Sequence, residues 1–387
     1  MPPQVPEVES SAASGKGLIV ETGRKLRRGW TTGTCATAAA KAAGAALLTG
    51  AFPDPVEITL PRGERVAFAL AEASRTGDAA QAGVVKDAGD DPDVTHGALI
   101  RATVSCGLPG SGVVFRAGPG VGTVTRPGLP VPPGEPAINP VPRQMIRAAL
   151  EEVAAAHGCA TDFVIELSIP GGEELAHRTL NPRLGITGGL SILGTTGVVV
   201  PYSCAAWIAG IQQGIDVARA SGIKHVAGAT GRTSEAAAQA LHGLPDIALI
   251  DMGDFAGGML KYLRAHPVPR VTIAGGVAKM TKLAQGRLDL HSKRGEADLS
   301  ALAALAGQIG ADPETQARVA AANTVAEAFG SAGGLHLGDA VAALGWDAAA
   351  AVLRPAEIEL EILLFDRAGH LVGRAGFVPV HGGPPPR

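Results

Sequence analysis

The chain has 387 residues, 46% of them hydrophobic and 18% charged, with a formal net charge of -3. That length accommodates two or three domains, the apolar share excludes a disordered chain, and the lack of a basic excess argues against nucleic-acid binding. Cys35, Cys106, Cys159 and Cys204 are too scattered for a Cys-x-x-Cys zinc site or a disulfide scaffold, and no apolar run is long enough to span a bilayer, so a cytoplasmic protein is expected.

Residues 1–20 are rich in Pro, Ser, Gly and Ala without periodicity and read as a disordered tail. An alanine-rich helix is expected from about Cys35, with Thr34 as its N-cap, behind a glycine-threonine loop at 29–33 flanked by Arg27 and Arg28. Residues 56–60 and 66–70 alternate as strands around a turn at 61–64. The stretch 86–97 holds Asp87, Asp90, Asp91, Asp93 and His96. A divalent-cation loop and a polar turn both suit that composition. No glutamate closes it at EF-hand spacing, so the turn is preferred and no metal site is assigned. As a ligand-facing loop it would offer His96 as an acid or base. Strands are expected at 98–105 and 112–117, a glycine-proline loop at 118–134 with a short strand at 123–125, a helix from 139 to about 157, and a strand at 163–169. Grouped strands with few helices describe an α+β domain over 21–188.

The pattern then changes to regular alternation. Residues 190–193 form a short apolar run that breaks into Gly194, Thr195, Thr196 and Gly197, with helical character following over 202–220. Strand, glycine loop and helix are the opening of a nucleotide-type α/β domain, and such a loop suits a carboxylate or phosphate. Further strands at 225–227, 247–250 and 271–274 each end in a Gly- or Asp-bearing loop and lead into a helix. This predicts a Rossmann-like doubly wound sheet over 189–345. Ligands to such a sheet bind beyond the strand C-terminal ends, which brings 194–197, 228–232, 251–254 and 275–279 together. Alanine-rich helices follow at 298–310 and 313–329, the stretch 301–310 offering a face for self-association. Residues 346–387 read as a terminal β-hairpin turning at 366–369, and a loose tail at 382–387.

Several of these stretches together resemble the CbiD family, the cobalt-precorrin-5B (C-1)-methyltransferases of anaerobic cobalamin biosynthesis. They are Arg-Gly-Trp-Thr-Thr-Gly-Thr-Cys-Ala-Thr-Ala-Ala-Ala-Lys at 28–41, the aspartate-rich 86–97, Gly-Val-Gly-Thr-Val-Thr-Arg-Pro-Gly-Leu at 120–129 and Ala-Ile-Asn-Pro-Val-Pro-Arg at 137–143. Glu-Leu-Ser-Ile-Pro-Gly-Gly-Glu-Glu-Leu-Ala at 166–176, the run 181–197, Asp-Met-Gly-Asp-Phe at 251–255 and the stretch 279–292 complete the match. Where the family often carries Gly-His-x-Gly-Lys, this chain has Gly275, Gly276, Val277, Ala278 and Lys279, keeping the lysine.

The resemblance implies methyl transfer from S-adenosylmethionine to C-1 of cobalt-precorrin-5B, giving cobalt-precorrin-6A, with the cobalt part of the substrate. Under that reading Gly194, Thr195, Thr196 and Gly197 hold the methyl donor, and Asp251 or Asp254 accepts its ribose hydroxyls. Arg28, Arg126, Arg143 and Arg183 clamp acceptor carboxylates by charge-assisted hydrogen bonds, with Thr31, Thr32 and Lys279 as further substrate contacts. The α+β part supplies much of the corrinoid cleft, and the doubly wound part at 189–345 the methyl-donor site. No strong nucleophile is needed, so Asp87, His96 and His291 would at most tune a proton. Two other readings compete: a non-catalytic corrinoid carrier, and a nucleotide-using transferase, against which stands the absence of a Gly-x-x-x-x-Gly-Lys-Ser/Thr motif.

Overall fold

The computed structural model describes residues 26–381, so the tails expected at 1–20 and 382–387 lie outside the described residues. The chain divides into two compact units, Met1–Ser203 and Cys204–Arg387.

The first unit is organised around helix α1, Thr32–Thr49. Its alanines bury it on nearly every side, which small side chains permit by letting neighbours approach closely. Thr31, not Thr34, is the N-cap: its hydroxyl accepts from Thr34 N–H at 3.2 Å, and the helix starts three residues before the expected Cys35. Gly50 ends the helix in the left-handed region (φ 84°), donating to Ala46 O. A five-stranded sheet packs on α1. Its strands are β1 (Glu72–Thr76), β2 (Ala79–Val85), β3 (Leu99–Cys106), β4 (Val113–Ala117) and, after helix α2 (Pro140–Ala156), β5 (Phe163–Ser168). The spatial order is β1-β2-β3-β5-β4, antiparallel except for the β5–β4 pair. Leu150 of α2 touches the space at Gly44 of α1, where a Cβ would stand 2.4 Å from its Cδ2. The hairpin Val56–Thr59 with Arg65–Phe68 forms as the alternation predicts. Strands β1 and β2 were not legible, because Ala- and Gly-bearing β2 carries little β-propensity and gains its place by pairing with β3.

The run at 189–193 belongs to this first unit. Gly189–Leu190 pairs in parallel with Gly120–Val121, and Ile192 and Leu190 are buried in the α1 core. The approach is too close for side chains: a Cβ on Gly189 would stand 2.2 Å from the Gly120 backbone. This run is therefore not the first strand of the parallel sheet that follows.

The second unit begins with α3 (Cys204–Ala220) and then alternates: β6 (His225–Ala229), α4 (Arg232–His242), β7 (Leu249–Asp251), α5 (Ala256–Ala265), β8 (Arg270–Gly276) and α6 (Val277–Ala284). Helices α7 (Leu299–Gln308), α8 (Pro313–Ala320), α9 (Val325–Ser331) and α10 (Leu337–Leu353) precede β9 (Glu359–Phe365) and β10 (Leu371–Pro379). Sheet order is β7-β6-β8-β9-β10, with the first four parallel and β10 antiparallel at the edge. The fourth parallel strand thus comes from the C-terminal hairpin. Helix α10 runs through the boundary expected at 345/346, so the hairpin is part of this unit's sheet. One sheet face packs on α3, α5, α6 and α10 through residues such as Ile215, Met259, Met280 and Trp346. The other meets α4 through Ala238.

Beside α4 that second face turns polar. Glu361, fully buried, accepts from Thr272 Oγ1 at 2.8 Å and from Arg374 Nε at 2.9 Å, and lies 2.6 Å from His242 Nε2. His225 Nε2 lies 2.8 Å from Thr272 Oγ1. Burial, with His242 and Arg270 nearby, lowers the His225 pKa to about 4 against the opposing pull of Glu361. The unfolded chain takes up this proton near 6.5 and the folded chain only near 4, so the unfolded state binds more protons between them. Stability is expected to fall as pH drops through that window. Thermal melts at stepped pH should show it, and His225→Asn should flatten the slope.

Candidate functional site

In the first unit, the N-terminal end of α1 and the loop at 194–197 are built together. The buried N–H groups opening a helix need acceptors. Leu193 O accepts from Gly33 N–H at 2.9 Å, and Gly197 O accepts from Thr31 N–H at 3.1 Å and from Thr34 Oγ1 at 2.7 Å. Thr32 Oγ1 accepts from Leu193 N–H at 2.9 Å and donates to Leu193 O at 3.2 Å. Thr31 and Thr32 are thereby structural partners of the loop. The backbone N–H groups of Gly194, Thr195, Thr196 and Gly197 have no acceptor among the described residues. Leu193 O and Gly197 O are thus spent on the helix, and the loop amides are not.

A cavity of about 470 Å³ in this unit is lined by Trp30, Phe68, Lys86, Asp87 and His96, among others. Trp30 and Phe68 meet edge to face with ring centroids 5.2 Å apart. Lys86 is buried and paired with Asp93. Burial pushes the Asp93 carboxyl up, but the Lys86 ammonium and the Thr95 hydrogen bonds outweigh it and hold it below 3.8. Asp87 is bound by both terminal nitrogens of Arg27, which lowers its pKa, and it accepts from Gly89 N–H at 2.9 Å. His96 Nδ1 accepts from Ala88 N–H at 3.1 Å. A backbone amide can only donate, so the neutral ring carries its proton on Nε2.

In the second unit, sheet order reverses between β6 and β8. The chain steps from β6 to β7 on one side and returns to β8 on the other. A crevice of about 550 Å³ opens at their C-terminal ends, lined by Thr230, Gly231, Gly276, Lys279, Phe329 and Arg367, among others. This is where open α/β sheets place ligands. Lys279 braces the edge. Its Nζ donates to Thr230 O at 2.8 Å and lies 3.0 Å from buried Asp254 Oδ1, which has no aligned hydrogen bond. Asp251 ends β7, its carbonyl accepting from Trp207 Nε1 at 3.1 Å.

The expected site residues are therefore divided between the units. Asp87 and His96 share one cavity, while Lys279 lies at the crevice of the other unit. His291 does not line that crevice; its N–H donates to Asp289 Oδ1 at 3.2 Å. Of the expected anion clamps, Arg143 is committed to Glu135 and to the carbonyls of Ile138 and Pro136. Arg126 donates to Arg183 O at 3.2 Å, fixing 126 and 183 in one loop contact. Arg28 is half-buried with no side-chain partner among the described residues. No cluster of three or more potential metal ligands occurs among the described residues, and none of their helices is long and apolar enough to cross a membrane. Arg232 lies in the expected edge loop 228–232, whereas sequence reading missed Trp30, Phe68 and Arg367. Arg367 was hidden because the strand before its turn reads in sequence as half of a separate hairpin; the apolar run 359–365 was the signal.

The chain thus combines a mostly antiparallel unit with a cavity beside a capped helix and a mostly parallel unit with a strand-end crevice. The chain belongs to the CbiD family: the CbiD profile matches residues 19–201 and the CbiD C-terminal domain profile matches residues 289–376. It is 64% identical over 93% of its length to a protein of Agrobacterium fabrum named cobalt-precorrin-5B C(1)-methyltransferase, covering 95% of that protein. A relative of the same name from Halorhodospira halophila is 65% identical over 92% of this chain and 96% of its own. A crystal structure of a cobalamin biosynthesis protein (cbiD) from Archaeoglobus fulgidus is 29% identical, covers 70% of this chain and 83% of that one, and has a TM-score of 0.39.

Two expectations follow from this geometry. Gly194 has φ 134°, and a Cβ there would stand 2.3 Å from Thr31 Oγ1, so Gly194→Ala should destabilise the protein by about 1–3 kcal/mol in denaturant titration. Asp93→Asn leaves the Lys86 ammonium buried and uncompensated, with an expected loss of roughly 3 kcal/mol. The Asp93 contribution is complete above pH 3.8 and is lost as pH falls through its lower folded value; stability measured from pH 5 to 2 should show that loss in the wild type and not in Asp93→Asn.

Proposed function

We propose that this chain transfers a methyl group from S-adenosylmethionine to C-1 of cobalt-precorrin-5B, giving cobalt-precorrin-6A in anaerobic cobalamin biosynthesis. The observation that carries the reading is identity of 64% to a relative of that name along nearly the whole of both chains. We read the second unit as Rossmann-like and doubly wound. The order β7-β6-β8-β9 and the helices on both faces support this.

The donor, when bound, supplies an electrophilic methyl group on a sulfonium. The open amides of Gly194, Thr195, Thr196 and Gly197 suit its carboxylate, since consecutive N–H groups around positive-φ glycines form an anion-binding concavity. The neighbouring cavity offers aromatic and apolar walls, Trp30, Phe68 and Leu70, from which water is displaced on binding. Methylation at carbon needs no protein nucleophile, and holding the partners in line accounts for much of the acceleration. Asp87 is a weak base, because Arg27 holds it ionised and low in pKa. His96 presents Nε2–H, so at that atom the neutral ring donates to a ligand oxygen and does not take a proton. The proton released on methylation leaves by another group or by water.

Single-turnover transfer tests the reading. Protein is mixed anaerobically with methyl-labelled S-adenosylmethionine and cobalt-precorrin-5B, and label is expected at C-1 of the tetrapyrrole. Binding of both molecules without label transfer would overturn it in favour of a carrier.

A further inference from the structure

Arg232 and Arg367 of the second unit have no side-chain partner among the described residues. Arg232 opens α4 and Arg367 lies in the turn after β9. Both are exposed, both line the strand-end crevice, and neither guanidinium has a carboxylate or carbonyl partner among the described residues. Their neighbours differ: Arg270, Arg318 and Arg374 each hold a carboxylate of this chain. Isolated guanidiniums that converge on a crevice, with their donors unspent, are suited to bidentate binding of an external carboxylate or phosphate.

The charge balance of the crevice sets the sign of its ligand. Three cationic side chains line it, Arg232, Lys279 and Arg367, against one carboxylate, Asp366. Lys279 is already compensated by Asp254 at 3.0 Å. Asp366 is spent within its own turn, accepting from Ala368 N–H and His370 N–H at 2.8 Å each, and these bonds hold it ionised. Asp366 keeps its negative charge, so with Lys279 offset by Asp254 the two arginines leave the crevice one net positive charge. The methyl donor carries a sulfonium and an ammonium against one carboxylate and is a net cation, so this crevice repels it. The acceptor carries acetate and propionate groups around its rim and is a polyanion. At about 550 Å³ the crevice suits one edge of such a macrocycle, with Val277, Phe329 and Phe365 as apolar walls.

We propose that the β6–β8 crevice is a polycarboxylate site in which Arg232 and Arg367 bind the acetate and propionate groups of the tetrapyrrole acceptor. This assigns acceptor binding to the second unit, and it rests on the acceptor named under Proposed function. The shared chemistry is a multiply charged oxyanion, so a nucleotide polyphosphate is the rival source.

The test uses the full chain as wild type, Arg232→Gln, Arg367→Gln and the double variant. Each is titrated with a cobalt corrinoid bearing free carboxylates, with the same corrinoid fully methyl-esterified, with ATP, and with S-adenosylmethionine. Each single variant is expected to raise Kd for the free-acid corrinoid about ten-fold, the double variant more, with melting temperature and S-adenosylmethionine affinity unchanged. The ester should bind weakly and ignore the substitutions. Equal binding of the free acid by wild type and double variant would overturn the proposal, and so would arginine-dependent binding of ATP without the corrinoid. Methyl transfer by wild type together with an unchanged acceptor KM in the double variant would sink the crevice assignment and leave the reaction standing. Arginine-dependent corrinoid binding with no methyl transfer would do the reverse.

Discussion

A buried helix end must find acceptors for its first N–H groups, and the first unit is arranged to supply them. Helix α1 is enclosed on nearly all sides by the sheet and by α2, so water cannot serve. The carbonyls of Leu193 and Gly197, some 160 residues later in the chain, take the donors of Thr31, Gly33 and Thr34. Everything between those points must return the chain to that helix. The glycines at 120, 172 and 189 make the return possible, since a Cβ at any of them would overlap another backbone segment. The same constraint commits the Leu193 and Gly197 carbonyls to the helix, while the amides of 194–197 keep no acceptor among the described residues.

The second unit is governed by a different constraint, the point where its parallel sheet changes direction. Helices α4 and α6 leave β6 and β8 toward opposite faces, and the space between the two strand ends cannot be closed by either. Lys279 ties two of the edge loops through Thr230 and Asp254. The retained lysine of the 275–279 segment is thus a brace of the crevice wall, and the work of meeting an anion passes to Arg232 and Arg367.

Much of this was legible in sequence because it depends on local chemistry. Alanine content placed α1, proline at 140 and 142 opened α2, and three apolar runs ending in Gly or Asp marked strands in the second half. Partner choice was not legible. The run 190–193 has the composition of a buried parallel strand, but only Leu190 lies in one, paired through Gly189–Leu190 with Gly120–Val121 and not with β6, and Ile192 makes an isolated bridge to Ile138. Residues 359–365 look like half of an isolated hairpin, yet they are inserted beside β8 and carry Arg367 to the ligand edge. Likewise, no local pattern distinguishes Arg143, used up by Glu135 and two carbonyls, from Arg232, which has no side-chain partner among the described residues.

Sequence alone determined the helices and most strands, the switch from α+β to α/β patterning, and the family, because propensity, turn chemistry and motif identity are written in neighbouring residues. Only the tertiary structure decided which strands pair, which arginines keep their charge for a ligand, and which face of the 194–197 loop is free. Those outcomes depend on burial and on competition for hydrogen-bond partners between residues far apart in the chain, and neither quantity exists until the chain has closed on itself.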